Sequence, residues 1–245
     1  MARGRLRSFA GFYTAVVVGI SLQLLALYQR GLHRLSLPVG NPFEVIQTVV
    51  LCMALSVLVI APVRFLRNLS VFVVGLGAIL LALALQVKPW DSPGPLAALS
   101  ALDPWLQVHT LFAVLSYGLF ALIALHGFLY LLQDYGLCHK QFGGVFRLLP
   151  SLHQLGCGVY YCLHAGVVFL VLTLLIGLGL KLTHPGAIHT GKLWLGAVMV
   201  AAYTALWLAA VRQWLHPKAL AAWAVALFVL SLGALWPLSF TTKWS

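Results

Sequence analysis

The sequence predicts an all-α fold, a polytopic transmembrane helix bundle of about seven spans. Three observations carry this. Hydrophobic residues make up 62% of the 245 positions and charged residues 8%, an apolar excess that a soluble core of this size does not bury. The apolar residues fall into seven stretches near the length of about 20 residues that a hydrocarbon core of ~30 Å requires. The stretches lack the weak alternation of a membrane barrel, and an unpaired strand has no place in lipid, so they are helices.

In order, the spans are expected at 9–28, 43–62, 69–87, 106–132, 157–180, 193–211 and 219–238. The first follows Arg3, Arg5 and Arg7. It is too long for a signal-peptide core and has no small-residue cleavage site, so it reads as an uncleaved span. The second is introduced by Asn41 and Pro42, an N-cap followed by proline in the first turn. Glu44 then falls in that first turn, where the helix dipole favours a carboxylate; pairing with Arg30 or Arg34 is the less favoured role. The third span lies between Arg67 and Lys88. A Pro-, Gly- and Ser-bearing loop, 88–105, follows, with Trp90 and Trp105 suited to the membrane interface at its two ends. The fourth span is the longest and is expected to tilt or project. A solvated loop, 133–154, holds Asp134, His139, Lys140 and Arg147. The fifth opens at Cys157 and Cys162, and segment 181–192 leads to the sixth and seventh. The whole of 1–245 reads as a single integral membrane domain.

Net charge is +11, from 15 Lys and Arg against only four acids. Because the bases lie between apolar runs, they suit loops that face anionic headgroups, and the nucleic-acid reading of a basic chain is set aside. An N-inside, seven-span topology places nine of the bases inside and six outside, the sense of the positive-inside rule. The four cysteines form no CxxC and no zinc-type spacing. They read as small buried hydrophobes. A phosphate loop, a nucleophile elbow and an HExxH motif are all missing from the sequence, which removes the enzyme classes those motifs mark.

The candidate chemistry lies in histidines. His109 opens the fourth span, and Ser116, two turns on, shares its helix face. A neutral imidazole at a helix mouth offers a nitrogen to iron; the plainer alternative is an interfacial histidine bonded to headgroups. His189 falls at the same predicted surface, just before the sixth span, with His184 as a loop competitor and Trp194 close by. Two imidazoles from two spans suit axial ligation of heme iron. Trp194 is either a stacking surface for a porphyrin or an interfacial belt residue. His126 and His164 lie within spans and are candidates for a ligand or a helix-to-helix hydrogen bond in equal measure.

The segment from His109 through Ser116 and Tyr117 resembles the histidine-to-Ser-Tyr segment of the cytochrome c assembly proteins, the CcsA/ResC/HemX-like group. Leu37 to Glu44 (LPVGNPFE) is similar to that family's P-x-x-N-x-x-E segment ahead of a transmembrane helix. The order after His109 also matches, and the likeness covers most of the chain. The resemblance implies a membrane protein that binds heme b and presents it at the outer membrane face for attachment to apocytochrome c. It further implies a second cytochrome c assembly membrane protein as partner and a bacterial-type cytoplasmic membrane, with the N-terminus cytoplasmic and the C-terminus outside. His109 corresponds to the first outer-face axial histidine, with His189, Ser116 and Trp194 as the further heme-site candidates.

Two departures from the family pattern are visible. The tryptophan-rich loop of full-length members is replaced by His184 to Trp194, and residues 239–245 hold no late histidine. His189 would therefore have to complete the pair. The alternative is a HemX-like membrane regulator or scaffold that does not hold heme stably. A solute transporter lined by His126 and His164 is disfavoured, because the sequence shows no inverted repeat. No side chain stands out as a dedicated acid or base, which argues for an assembly factor rather than an enzyme.

Overall fold

The structure, a computed structural model, describes residues 2–34, 37–39, 41–60, 67–91, 104–140, 143, 146, 149–183 and 190–240. Among these the regular elements are all helical: α1 (Ala2–Arg34), α2 (Pro42–Ile60), α3 (Arg67–Gln86), a 3₁₀ turn (Lys88–Asp91), α4 (Pro104–Cys138), α5 (Leu152–Thr183), α6 (Thr190–Val211) and α7 (Pro217–Phe240). Five segments are long and apolar enough to cross a membrane: Ala10–His33, Leu69–Gln86, Pro104–Cys138, Leu152–Thr183 and Leu193–Val211. They make the chain an integral membrane protein. Two shorter apolar segments, Pro42–Leu58 and Pro217–Gly233, lie in α2 and α7. Helix α4, with 35 residues, is about 52 Å long and outreaches the hydrocarbon core at the end where a solvated loop was expected. His184 and His189, like most of loop 88–105, lie outside the described residues.

Local chemistry sets the helix ends. Asn41 Oδ1 accepts the Glu44 backbone N–H at 2.8 Å, so Asn41 is the N-cap and Pro42 the first helical residue of α2, as the sequence predicts. Ser151 and Gln154 form a reciprocal capping box at the start of α5, with bonds of 3.4 and 3.1 Å. Helix α6 ends in a Schellman motif. Trp214 N–H donates to Ala209 O at 2.9 Å and Gln213 N–H to Ala210 O at 3.2 Å, with Gln213 in the left-handed region at φ 53°, where glycine is the usual residue. Lys140, also at φ 53°, takes the corresponding role after α4.

The chain forms two compact units, residues 1–101 and 102–245. In the first, α2 packs against both α1 and α3, around Met53, Val57, Leu69 and Val73, all essentially inaccessible. Gln23 Nε2 donates to Gln47 O at 2.6 Å and ties α1 to α2. In the second unit, α4 and α5 form the most extensive helix pair and α7 packs along α4. The α4–α5 seam has a repeating device: a ring on α4 rests where α5 has a glycine. A Cβ at Gly177 would come within 2.8 Å of His109, one at Gly166 within 2.6 Å of Phe120, and one at Gly158 would fall on the His126 ring. Small residues at such contacts let membrane helices approach closely. Phe120 also stacks on Tyr203 of α6, with ring centroids 3.7 Å apart, so the same ring links α4, α5 and α6.

Candidate functional site

His109 is the sixth residue of α4, about 7 Å along the helix from Pro104. The resulting position lets its imidazole reach across to the C-terminal third of α5. There Nδ1 lies 2.9 Å from the backbone carbonyl oxygen of Thr173. A carbonyl oxygen only accepts, so Nδ1 carries the proton and donates. In the neutral ring this fixes the tautomer and leaves Nε2 with its lone pair, the form in which histidine binds a metal.

The seat is built by what is missing from α5. At Gly177 a methyl group would stand 2.8 Å from His109 Cε1, 3.1 Å from Nδ1 and 3.3 Å from Leu193 Cδ2. Glycine therefore makes room for the ring, and Leu193 of α6 borders the same space. Leu106 and Leu180 are buried just beyond, with Ile176 and Leu193 packed against them. Thr173 is itself held, since its hydroxyl donates to Phe169 O at 2.8 Å. Phe169 in turn meets Phe112 with ring centroids 5.6 Å apart. The imidazole is thus fixed by a hydrogen bond on one edge, over the space that Gly177 leaves open on α5.

The other candidates are dispersed. Ser116 is fully buried, but its hydroxyl donates to Ala113 O of its own helix at 2.7 Å and no contact joins it to His109 among the described residues. Trp194 stands on α6 next to Leu193 and is 70% exposed, so its indole face is open at the same end as the His109 seat. His189 is outside the described residues, and its distance from His109 is therefore not part of this geometry.

His126 is buried and its Nδ1 donates to Leu122 O, one turn back in the same helix, at 2.6 Å. Its hydrogen bond is local, and what crosses to α5 is the ring packed on Gly158. His164 is exposed and its ring lies 5.6 Å from that of Trp207. The four cysteines are free thiols. Among the described residues no group of three or more His, Cys, Asp and Glu converges as a metal cage.

A charged cluster in the 1–101 unit was not anticipated at its full extent. Arg30 of α1 pairs with Asp91 of the 3₁₀ turn through two bonds of 2.5 and 3.0 Å and reaches the fully buried Glu44 at 3.8 Å. Its guanidinium also lies 4.7 Å over the Phe43 ring. Glu44 therefore serves both as a first-turn carboxylate and as an ion-pair partner. The separation of 61 residues between Arg30 and Asp91 left no local pattern from which to read the pair.

No protein-family model matches the chain, and no curated protein matches it.

Proposed function

We propose that the chain is a membrane heme-handling factor for c-type cytochrome biogenesis, which binds heme b through His109 and presents it at the outer membrane face to apocytochrome c. The observation that carries this is the His109 Nδ1 to Thr173 carbonyl bond. Heme-ligating histidines are characteristically oriented by such a bond on the distal ring nitrogen, which keeps Nε2 available and raises its basicity. Bound heme would supply the iron-protoporphyrin group to be attached. This chain's part would be to hold and orient it, with Trp194 as an exposed aromatic edge and His189 as the proposed second ligand.

The seven-span topology belongs to the same reading. The described apolar segments of α2 and α7 are 17 residues each, Pro42–Leu58 and Pro217–Gly233, at the short end of the spanning range. With all seven helices crossing, the N-terminus is cytoplasmic, the His109 end of α4 is outside, and the chain sits in a bacterial-type cytoplasmic membrane. A second cytochrome c assembly membrane protein completes the assembly.

The test is the absorption spectrum of the full chain, purified in mild detergent from heme-replete cells, beside that of a His109→Ala variant. A Soret band with low-spin reduced peaks, lost in the variant, is the expected result. A protein that stays colourless when hemin is added overturns the ligand role and favours a HemX-like regulator or scaffold.

A further inference from the structure

A second pair of ligand-type side chains stands at the start of α5, on residues that the His109 seat does not use. Cys157 Sγ lies 3.7 Å from His153 Nε2. The two residues are four apart in the helix, so they share one face a turn from each other. His153 is exposed and Cys157 half-buried, which leaves both reachable from outside the bundle. Imidazole and thiolate are the two donors that borderline-soft metal ions favour.

The first turn of α5 is held in place before any ion arrives. The reciprocal bonds between Ser151 and Gln154 bracket His153, and Leu155 N–H donates to Ser151 O at 3.1 Å. With 32 residues, α5 is about 48 Å long against a hydrocarbon core of ~30 Å. That excess leaves room for the capped, polar first turn to stand in water, where an ion can reach it. Cys157 lies beyond the first turn, where the positive end of the helix dipole has fallen off and no longer opposes a cation.

The spacing selects the occupant. Zinc binds imidazole nitrogen at about 2.0–2.1 Å and thiolate sulfur at about 2.3 Å, so a tetrahedral angle sets the two donors about 3.5–3.6 Å apart. The observed 3.7 Å differs by only about 0.2 Å, and an ion can be seated with almost no movement of either side chain. In the metal-free neutral pair the thiol is a weak donor to Nε2. The ring proton is then on Nδ1, and the Nε2 lone pair faces the sulfur. The thiol proton thus occupies the place the ion would take. Hard cations such as Mg²⁺ and Ca²⁺ require oxygen ligands, and among the described residues no third His, Cys, Asp or Glu joins the pair. A closed structural zinc site has four protein ligands; two leave an open, exchangeable one.

We propose that His153 Nε2 and Cys157 Sγ bind one Zn²⁺, with water in the remaining positions. The Cys157 thiol gives its proton to solvent and coordinates as the thiolate, and no electron is transferred. The site stands independently of heme ligation at His109.

The test uses the full, reduced chain in detergent, with Co²⁺ as the spectroscopic substitute for Zn²⁺. The expected difference spectrum, Co²⁺-loaded minus metal-free, has a thiolate-to-cobalt charge-transfer band in the near ultraviolet. It should saturate at one ion per chain and be displaced by Zn²⁺ but not by Mg²⁺. Cys157→Ser should abolish the band. His153→Gln should weaken Co²⁺ binding by more than the ~10-fold that losing a group which only orients a ligand costs. His109→Ala, Cys138→Ser and Cys162→Ser should leave the band unchanged. A band that persists in Cys157→Ser, undiminished binding in His153→Gln, or no saturable band in the wild type overturns the proposal. Zn²⁺ should also raise the thermal midpoint of the wild type and leave that of Cys157→Ser unmoved; an equal rise in both counts against it. Cys157→Ser is close to isosteric, so this comparison stays readable even if His153→Gln loosens the first turn.

Discussion

Gly177→Ala places a methyl group where the His109 ring now lies. The new Cβ would stand 2.8 Å from Cε1 and 3.1 Å from Nδ1, against an optimal carbon–carbon separation of about 3.5–4.0 Å. The ring has to retreat by roughly 0.7–1 Å to relieve this. Leu193 Cδ2 also lies 3.3 Å from the new Cβ, so the methyl group is crowded from α6 as well. A retreat directed away from α5 lengthens the 2.9 Å bond to Thr173 O beyond the range of a hydrogen bond. The local cost is about 1–3 kcal/mol for overpacking, offset by about 1 kcal/mol from alanine's better helix propensity. The functional cost is larger, because losing the group that orients a metal-ligating histidine typically weakens the metal by about 10- to 100-fold. Gly179→Ala is the internal control: two residues along the same helix, its Cβ would meet nothing within 4 Å. Hemin titration of both variants, followed at the Soret band, should show weakened binding in Gly177→Ala and wild-type binding in Gly179→Ala. If both bind as the wild type does, or both lose hemin alike, then the Thr173 bond is not what prepares His109.

Three further outcomes can be checked on purified protein in detergent. Gly158→Ala drives a methyl group into the His126 ring and should cost about 1–3 kcal/mol, seen as a lower thermal midpoint, whereas Gly75→Ala, whose Cβ meets nothing within 4 Å, should be neutral or mildly stabilising. Gln213→Gly removes the strain of a left-handed residue at the end of α6 and should raise stability by up to about 1 kcal/mol; a lowered midpoint would contradict the cap assignment. Arg30→Met removes a cation that reaches the buried Glu44 and should destabilise by more than the ~1 kcal/mol ceiling of an exposed pair. Asp91→Asn, on the exposed side of the same cluster, should stay below that ceiling, and Glu44→Gln should recover part of the Arg30→Met loss.

What the sequence revealed, and what it hid, follows from the range over which each signal acts. Apolar length and capping are local, so the seven helices were legible as elements, with Asn41 and Pro42 at the start of α2, while α1, expected at 9–28, runs from Ala2 to Arg34. The capping box at Ser151 and Gln154 was equally readable in S-x-x-Q, yet the fifth span was placed to start only at Cys157. Hydropathy marks the apolar portion of a helix and says nothing of its solvated ends, so α4 and α5 run beyond the expected spans. His109 was singled out by its position at a helix mouth. Its hydrogen bond was not legible, since Thr173 lies 64 residues away and contributes only a backbone carbonyl, which any residue type carries. Gly177, Gly166 and Gly158 were passed over as ordinary glycines because their role depends on the register of α4 against α5. Ser116 shares a helix face with His109, as the heptad spacing implies, but bonds within its own helix.

The three ring-on-glycine seats act together as a keyed joint. The largest register shift of packed helices is a ratchet of one turn, a step of about 5.4 Å. A slip of that size would move His109 from Gly177 onto Thr173 or Lys181, Phe120 from Gly166 onto Cys162 or Leu170, and His126 from Gly158 onto Gln154 or Cys162. Every alternative position carries a side chain where a ring needs open space. The pair α4 and α5 therefore has one register, set by three rings and three glycines.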